Sequence, residues 1–192
     1  MRICVYCASS ARIDQAYFDA TEKLAIDFVK NNIHVVYGGG ASGLMGKLAD
    51  TIIEHGGHIK GIMPKFMNEV EWAHKKVLDL EFTDTMHERK AKFLVDIDGL
   101  VTLPGGTGTL EELLEALTLK RLGLFTKPIV ILNTNGYFNP LKLMLERCVE
   151  ENFMITRHLD MWTFVDHPDQ VIPALLSAPS WDNDAINFAA IR

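Results

Sequence analysis

Cysteine is scarce. The chain has three cysteines in 192 residues, which gives no disulfide framework and leads us to expect a reducing compartment. Basic charge is in deficit too. Nineteen Lys and Arg stand against 25 Asp and Glu, a formal net charge of −6, which argues against a general nucleic-acid binder. The deficit does not exclude a small phosphorylated ligand, because a local nest of backbone amides can hold one. No uninterrupted apolar stretch reaches the ~20 residues that a bilayer-spanning helix needs, so no membrane association is expected. The strand-like run Arg2-Ile3-Cys4-Val5-Tyr6 stands where a secretory leader would, so no signal peptide is expected and the expected location is cytoplasmic. Repeats, low-complexity segments and linkers are also lacking. The expectation is one domain over residues 1–180 and a tail, 181–192, without a strong pattern.

Several motifs are incomplete. Gly38-Gly39-Gly40-Ala41-Ser42-Gly43 has the spacing of a dinucleotide fingerprint. The acid that would hold a ribose is missing, since the corresponding region reads His58-Ile59-Lys60-Gly61-Ile62-Met63. A nicotinamide enzyme is therefore disfavoured. Whether this glycine turn touches a ligand or packs helix on strand stays open. A Walker loop nearly closes on Gly46-Lys47, but Ala41 replaces its first glycine and Leu48 its magnesium-binding hydroxyl. Cys4 and Cys7 have metal-like spacing, yet on a strand residues i and i+3 point to opposite faces. They read as buried structural cysteines. His55 and His58 flank a Gly-Gly turn without further ligands. No metal and no cofactor are expected.

What is present is an alternation of strands and helices. Strands are expected at 3–7, 33–37, 59–63, 77–82, 99–103, 128–132 and 163–165. Helices are expected at 15–31 behind an Asp14 cap, 44–55, 86–96, from 110 onward, 141–151 and 168–177. Residues 65–76 read as irregular. This order implies an α/β fold, a doubly wound and mostly parallel sheet covered on both faces. Ligands in such sheets bind beyond the carboxyl ends of the strands. Ser9-Ser10, Gly38 to Gly43 and Gly105 to Thr109 all fall at such ends, and Ser9, Gly39 and Gly40 join the Gly105 to Thr109 loop as candidate ligand contacts.

The stretch Leu103-Pro104-Gly105-Gly106-Thr107-Gly108-Thr109-Leu110-Glu111-Glu112 joins a buried strand to a helix. Glycine permits close backbone approach, and helix N-terminal amides favour an anion. We read it as a phosphate cradle, with Thr107 and Thr109 adding hydroxyls. Glu111, Glu112 and Glu115 cluster early in the helix. Adjacent helical residues diverge by ~100°, so Glu111 and Glu112 cannot do the same job, and periodicity does not choose between them. Met86-His87-Glu88-Arg89-Lys90 opens the preceding helix. Its charges fit a solvated face, or an Arg89 fork for phosphate or a sugar oxygen.

Pro104-Gly105-Gly106-Thr107-Gly108-Thr109-Leu110-Glu111-Glu112 resembles the PGGxGTxxE signature of the LONELY GUY family, nucleoside 5′-monophosphate phosphoribohydrolases that activate cytokinins. Val36-Tyr37-Gly38-Gly39-Gly40, Gly43-Leu44-Met45-Gly46, Met86 to Lys90, and Lys127 to Val130 followed by Asn135-Gly136-Tyr137 are similar in the same order, over about residues 3–150. The resemblance implies a Rossmann-like domain that usually dimerises. It also implies hydrolysis of a nucleoside 5′-monophosphate to free base and ribose 5-phosphate, with no cofactor. It places the catalytic pair on Arg89 and Glu112, and substrate contacts on Lys90, on Gly106, Thr107, Gly108, Thr109, Leu110 and Glu111, and on Thr118. A further acid matches Glu71, with Glu69 the alternative, and Met86 is expected on the base side. Three roles stay open for Arg89: holding Glu112 ionised, touching ribose or phosphate, or polarising the leaving base. The label of lysine decarboxylase, often attached to this family, would need a pyridoxal-binding lysine in a recognisable setting, and none is found. The alternative is a carrier of nucleotide or molybdenum cofactor without hydrolase activity. The apolar residues Leu113, Leu114, Leu117, Leu119 and Leu122 on several sides of the helix suit burial against both the sheet and a second subunit.

Overall fold

The computed structural model describes residues 1–69 and 73–189. Seven strands form one sheet in the order β4-β3-β2-β1-β5-β6-β7. They are β1 (Arg2–Tyr6), β2 (His34–Tyr37), β3 (Ile59–Pro64), β4 (Asp79–Thr83), β5 (Gly99–Thr102), β6 (Ile129–Leu132) and β7 (Thr163–Val165). All neighbours pair in parallel, so the mostly parallel expectation becomes a wholly parallel one. Among the described residues five α-helices lie between strands, α1 (Gln15–Lys30), α2 (Gly43–Glu54), α3 (Met86–Phe93), α4 (Thr107–Arg121) and α5 (Asn139–Glu150), and a sixth, α6 (Val171–Ser177), follows β7.

Burial on both faces explains the continuous apolar strands. Along β1, Ile3 and Val5 pack with Leu24, Phe28, Leu44 and Leu48 of α1 and α2. Cys4 and Tyr6 point the other way, among Phe93, Leu113 and Leu117 of α3 and α4. The two cysteines diverge as the strand period requires, because Cys7 joins the α1/α2 side. Asp14 caps α1 by accepting from the Ala16 N–H at 2.8 Å. Thr85 caps α3 by accepting from the Glu88 N–H at 3.0 Å, which fixes the start of the helix that carries Arg89.

Helix α3 ends at Phe93 rather than Asp96 and β4 starts at Asp79 rather than Val77, and three further boundaries differ from expectation. Helix α4 starts at Thr107 rather than Leu110, because Gly108 and Thr109 already wind its first turn. Helix α5 starts at Asn139, with Pro140 in the first turn, where its missing N–H is not needed. The last helical stretch divides into a 3₁₀ turn, Pro168–Gln170, and α6.

The segment expected as a patternless tail is docked over its described part. Trp181, Ala185 and Ala189 are buried. The Trp181 indole N–H donates to the Lys120 carbonyl at 2.7 Å, and Arg121 donates to the Ala189 carbonyl from two nitrogens, at 2.9 and 2.6 Å. Residues 183–188 form a 3₁₀ turn, whose spacing matches neither helix nor strand periodicity. Among the described residues no helix is long and apolar enough to cross a membrane.

Candidate active site

The chain winds outward from β1 to β4 on one side and returns to pair β5 with β1 on the other. The crevice beyond β1 and β5 is therefore the switch point where α/β sheets bind ligands. A cavity of about 350 Å³ lies there. It is lined by Ala8, Ser9 and Ser10, by Gly106 to Thr109, and by Met45, Met67 and Met86. Arg89, Glu111 and Glu112 also line it.

The glycine loop after β5 is held from outside. The Ala8 N–H donates to the Pro104 carbonyl at 3.2 Å, and the Tyr137 hydroxyl donates to the Gly105 carbonyl at 2.7 Å. A Cβ on Gly105 would stand 2.1 Å from Thr109 Oγ1, so the loop closes onto its own helix only without a side chain there. A Cβ on Gly106 or Gly108 would meet nothing within 4 Å. The first amides of α4 have no acceptor within the helix. With the positive end of the helix dipole behind them, they make a site for an anion.

Six residues into α4, the Glu112 carboxylate meets Arg89. Arg89 Nη1 lies 2.9 Å from Glu112 Oε1, and the two residues are only 6 % and 9 % exposed. Arg89 also donates from Nε to the Ile62 carbonyl at 3.0 Å and from Nη2 to the Gly38 carbonyl at 3.4 Å. Its guanidinium sits 4.7 Å from the centre of the Phe93 ring. A charge is tolerated at such burial only when it is paired and hydrogen-bonded. Burial first, and the Glu112 charge second, push the Cys7 thiol well above its ordinary value. Cys7 thus stays protonated beside the cavity and is no thiolate nucleophile. Burial likewise raises the Cys4 thiol and the Tyr6 phenol.

The structure separates the two adjacent acids that periodicity could not. Glu112 turns inward to Arg89, whereas Glu111 stands more than half exposed and pairs with Lys90 at 2.5 Å. Lys90 reaches Glu115 as well, at 3.2 Å. Ser9, Met86, Gly106, Thr107, Gly108, Thr109, Glu111, Arg89 and Glu112 are brought together around the cavity. Leu110 and Thr118 lie outside it, on a shallow apolar depression shared with Thr107, Glu111, Leu114 and Glu115. Gly39 and Gly40 do not line the cavity. The Gly39 carbonyl accepts from the His74 N–H at 3.0 Å, and Gly40 bridges to Ala73. Glu71 falls outside the described residues, as does the side chain of its alternative, Glu69. Ser10 and Gly38, from two of the segments expected at strand ends, line the cavity as well, whereas sequence reading missed Met45 and Met67 on its wall and Tyr137 as a support. Methionines in a buried α2 or a short turn carry no signal of their own, but Tyr137 stood within a quoted motif.

A family model described as "Possible lysine decarboxylase" matches residues 45–175. The chain is 41% identical over 160 residues to cytokinin riboside 5′-monophosphate phosphoribohydrolase LOG1 of Arabidopsis thaliana, across 82% of this chain and 75% of that one. It is 42% identical over 153 residues to LOG3 of the same plant, across 80% and 71% of the two chains. The chain belongs to the LONELY GUY family. The fold is shared more widely. The molybdenum cofactor carrier protein of Chlamydomonas reinhardtii superposes with a TM-score of 0.68 at 18% identity, over 92% of this chain and 98% of that one. The molybdenum cofactor binding protein of Rippkaea orientalis gives 0.69 at 18%, over 92% and 95%. At that identity the likeness concerns the fold alone. The decarboxylase wording of the LONELY GUY family model finds no counterpart in the cavity, because no lysine lines it among the described residues. Lys90 is tied to two glutamates instead.

Proposed function

We propose that this protein hydrolyses the N-glycosidic bond of nucleoside 5′-monophosphates, releasing free base and ribose 5-phosphate. The observation that carries this reading is the buried Arg89–Glu112 pair, 2.9 Å apart, lining the same cavity as the open amide loop. The 5′-phosphate sits on Gly106 to Thr109. That places the ribose over Glu112, further along α4, and the base towards Met45, Met67 and Met86. As the bond to the base lengthens, positive charge builds on the ring carbon and ring oxygen. A carboxylate fixed beside that centre stabilises it, as in glycosidases. Water adds to the sugar carbon, the bonding electrons leave with the base, and the base takes up a proton. Arg89 holds Glu112 ionised and in place while its Nε and Nη2 are engaged by backbone carbonyls. Phosphate binding away from the reacting bond supplies the energy that orients it. AMP and N6-prenylated AMP are the proposed substrates, in a cytoplasmic homodimer. The exposed Leu114 beside half-buried Leu110 on α4 supports a second copy packing there. Light scattering at micromolar concentration checks the dimer.

A carrier with this fold has no use for a buried ion pair beside its ligand, so the pair favours turnover. The test is product analysis with AMP and isopentenyladenosine 5′-monophosphate. Wild type releases base and ribose 5-phosphate, and Glu112→Gln loses on the order of 10³-fold in rate while still binding nucleotide. Absence of base release from any monophosphate, with binding intact, sinks the hydrolase reading and favours the carrier. The ratio of the two rates separates general nucleotide salvage from cytokinin activation.

A further inference from the structure

Tyr137 does not line the cavity, yet its hydroxyl ends on the loop that does, donating to the Gly105 carbonyl at 2.7 Å. The peptide joining Gly105 to Gly106 is trans, as is every other one described. In a planar trans peptide the C=O and the N–H point in opposite directions. A Gly105 carbonyl drawn outward to the phenol therefore aims the Gly106 N–H inward, and Gly106 borders the cavity.

This peptide has particular need of a clamp. It lies between two glycines, where the backbone has its widest conformational freedom. Rotated by half a turn, it would present a carbonyl oxygen to the anion site in place of an N–H. The phenol is itself held in position. Asn135 and Gly136, at φ 56° and 69°, turn the chain sharply just before Tyr137. Asn133 fixes the far side of the turn, accepting from the Phe138 N–H at 2.7 Å and donating to Asn139 and Asp166 at 2.9 and 3.2 Å. The Tyr137 ring stands edge-on to Tyr17 and Phe138, at 6.1 and 4.9 Å between centroids. Every link from β6 to the phenol is thus fixed.

We infer that Tyr137 is a positioning residue for phosphate recognition, which locks the Gly105–Gly106 peptide with its N–H turned to the 5′-phosphate of the substrate. The inference deepens the proposed reading of this site and rests on it for the phosphate. Tyr137→Phe is the informative variant, because it keeps the ring and its packing and removes only the hydroxyl.

Binding is measured by calorimetry with ribose 5-phosphate and with ribose, and turnover with AMP and with adenosine. The expected result is a loss of roughly three- to tenfold in affinity for ribose 5-phosphate, the size of one neutral hydrogen bond. The KM for AMP rises by the same factor, whereas adenosine turnover is unchanged. A merely structural role would lower AMP and adenosine turnover together, and that result overturns the inference. So does an unaltered affinity for ribose 5-phosphate, or a wild-type protein that binds none. If wild type binds ribose 5-phosphate and the variant binds it more weakly, but neither releases base from AMP, the hydrolase reading fails and the role of Tyr137 in phosphate binding stands.

Discussion

Two glycine-rich turns follow two strands of the same sheet, and they serve different ends. After β2, the turn Gly38 to Gly43 leads into α2. After β5, the turn Gly105 to Gly108 leads into α4. At the first, the amides of Leu44 and Met45 donate to the Ala8 carbonyl, at 2.9 and 3.2 Å. A Cβ on Gly43 would stand 2.5 Å from the Ser9 backbone. Protein already occupies that helix N-terminus. At the second, Gly106 and Gly108 face open space, and their helix start borders the cavity. Glycine spacing describes where the backbone may come close to something. Whether that something is another segment of the same chain or a ligand is decided by the third element packed nearby. Arg89 ties the two turns together, with Nη2 on Gly38 and Nη1 on Glu112.

The comparison can be broken by substitution. The largest effect on the fold is expected from Gly43→Ala. Its φ of +63° and the blocked Cβ position make the change strained twice over. A loss of roughly 2–5 kcal/mol in urea unfolding is expected. An unchanged midpoint would mean that the first turn is as open as the second. Gly108→Ala is expected to do the reverse. Stability stays within about 1 kcal/mol, since alanine suits a helix better than glycine. Affinity for ribose 5-phosphate falls about tenfold, because the new methyl group stands where the proposed reading seats the phosphate. If that variant unfolds easily and binds normally, the roles assigned to the two turns are wrong.

The smallest effect sharpens the contrast at the far end of α4. There Lys120 is buried, donating to the Lys127 carbonyl at 2.6 Å. Burial pulls its pKa from 10.5 down to about 8. Between those values the unfolded chain holds a proton that the folded chain does not, so stability rises as pH rises through this window. Below pH 8 both states are charged, and the full cost of burying the ammonium is present. In Lys120→Met the rise should vanish, as read from unfolding midpoints at pH 7.5 and 9.5. A slope that persists in the variant would assign the titration elsewhere.

Much of this was legible beforehand, and for physical reasons. Continuous apolar runs along β1, β5 and β6 and the Asp14 cap are local features, so the strand and helix order could be read directly. The strand-to-helix turn after β5 was legible because the glycines fall between a buried apolar strand and a helix with apolar residues on several sides. The choice of Glu112 over Glu111 was not available from periodicity, since both flank the same turn. The resemblance made that choice, and the ion pair to Arg89 agrees with it. The part played by Gly38 was hidden because its neighbour, Arg89, is 51 positions away. Trp181 packs from irregular chain and Ala185 from the 3₁₀ turn that follows it, and neither has a long period to detect. The membership of Gly39 and Gly40 in a candidate site rested on their place at a strand end and on their motif, and side-chain-free backbone can lie near a cavity without bordering it.

Trp181, Ala185 and Ala189 complete the packing beneath the end of α4, while the start of the same helix lines the cavity. During synthesis the two ends are made far apart in time. The helix bearing Glu112 leaves the ribosome some sixty residues before the indole that closes its other end on Lys120. Until residues 181–189 have followed, Lys120 and its neighbours keep access to water. The packing at that end of α4 is therefore complete only once residues 181–189 have been made.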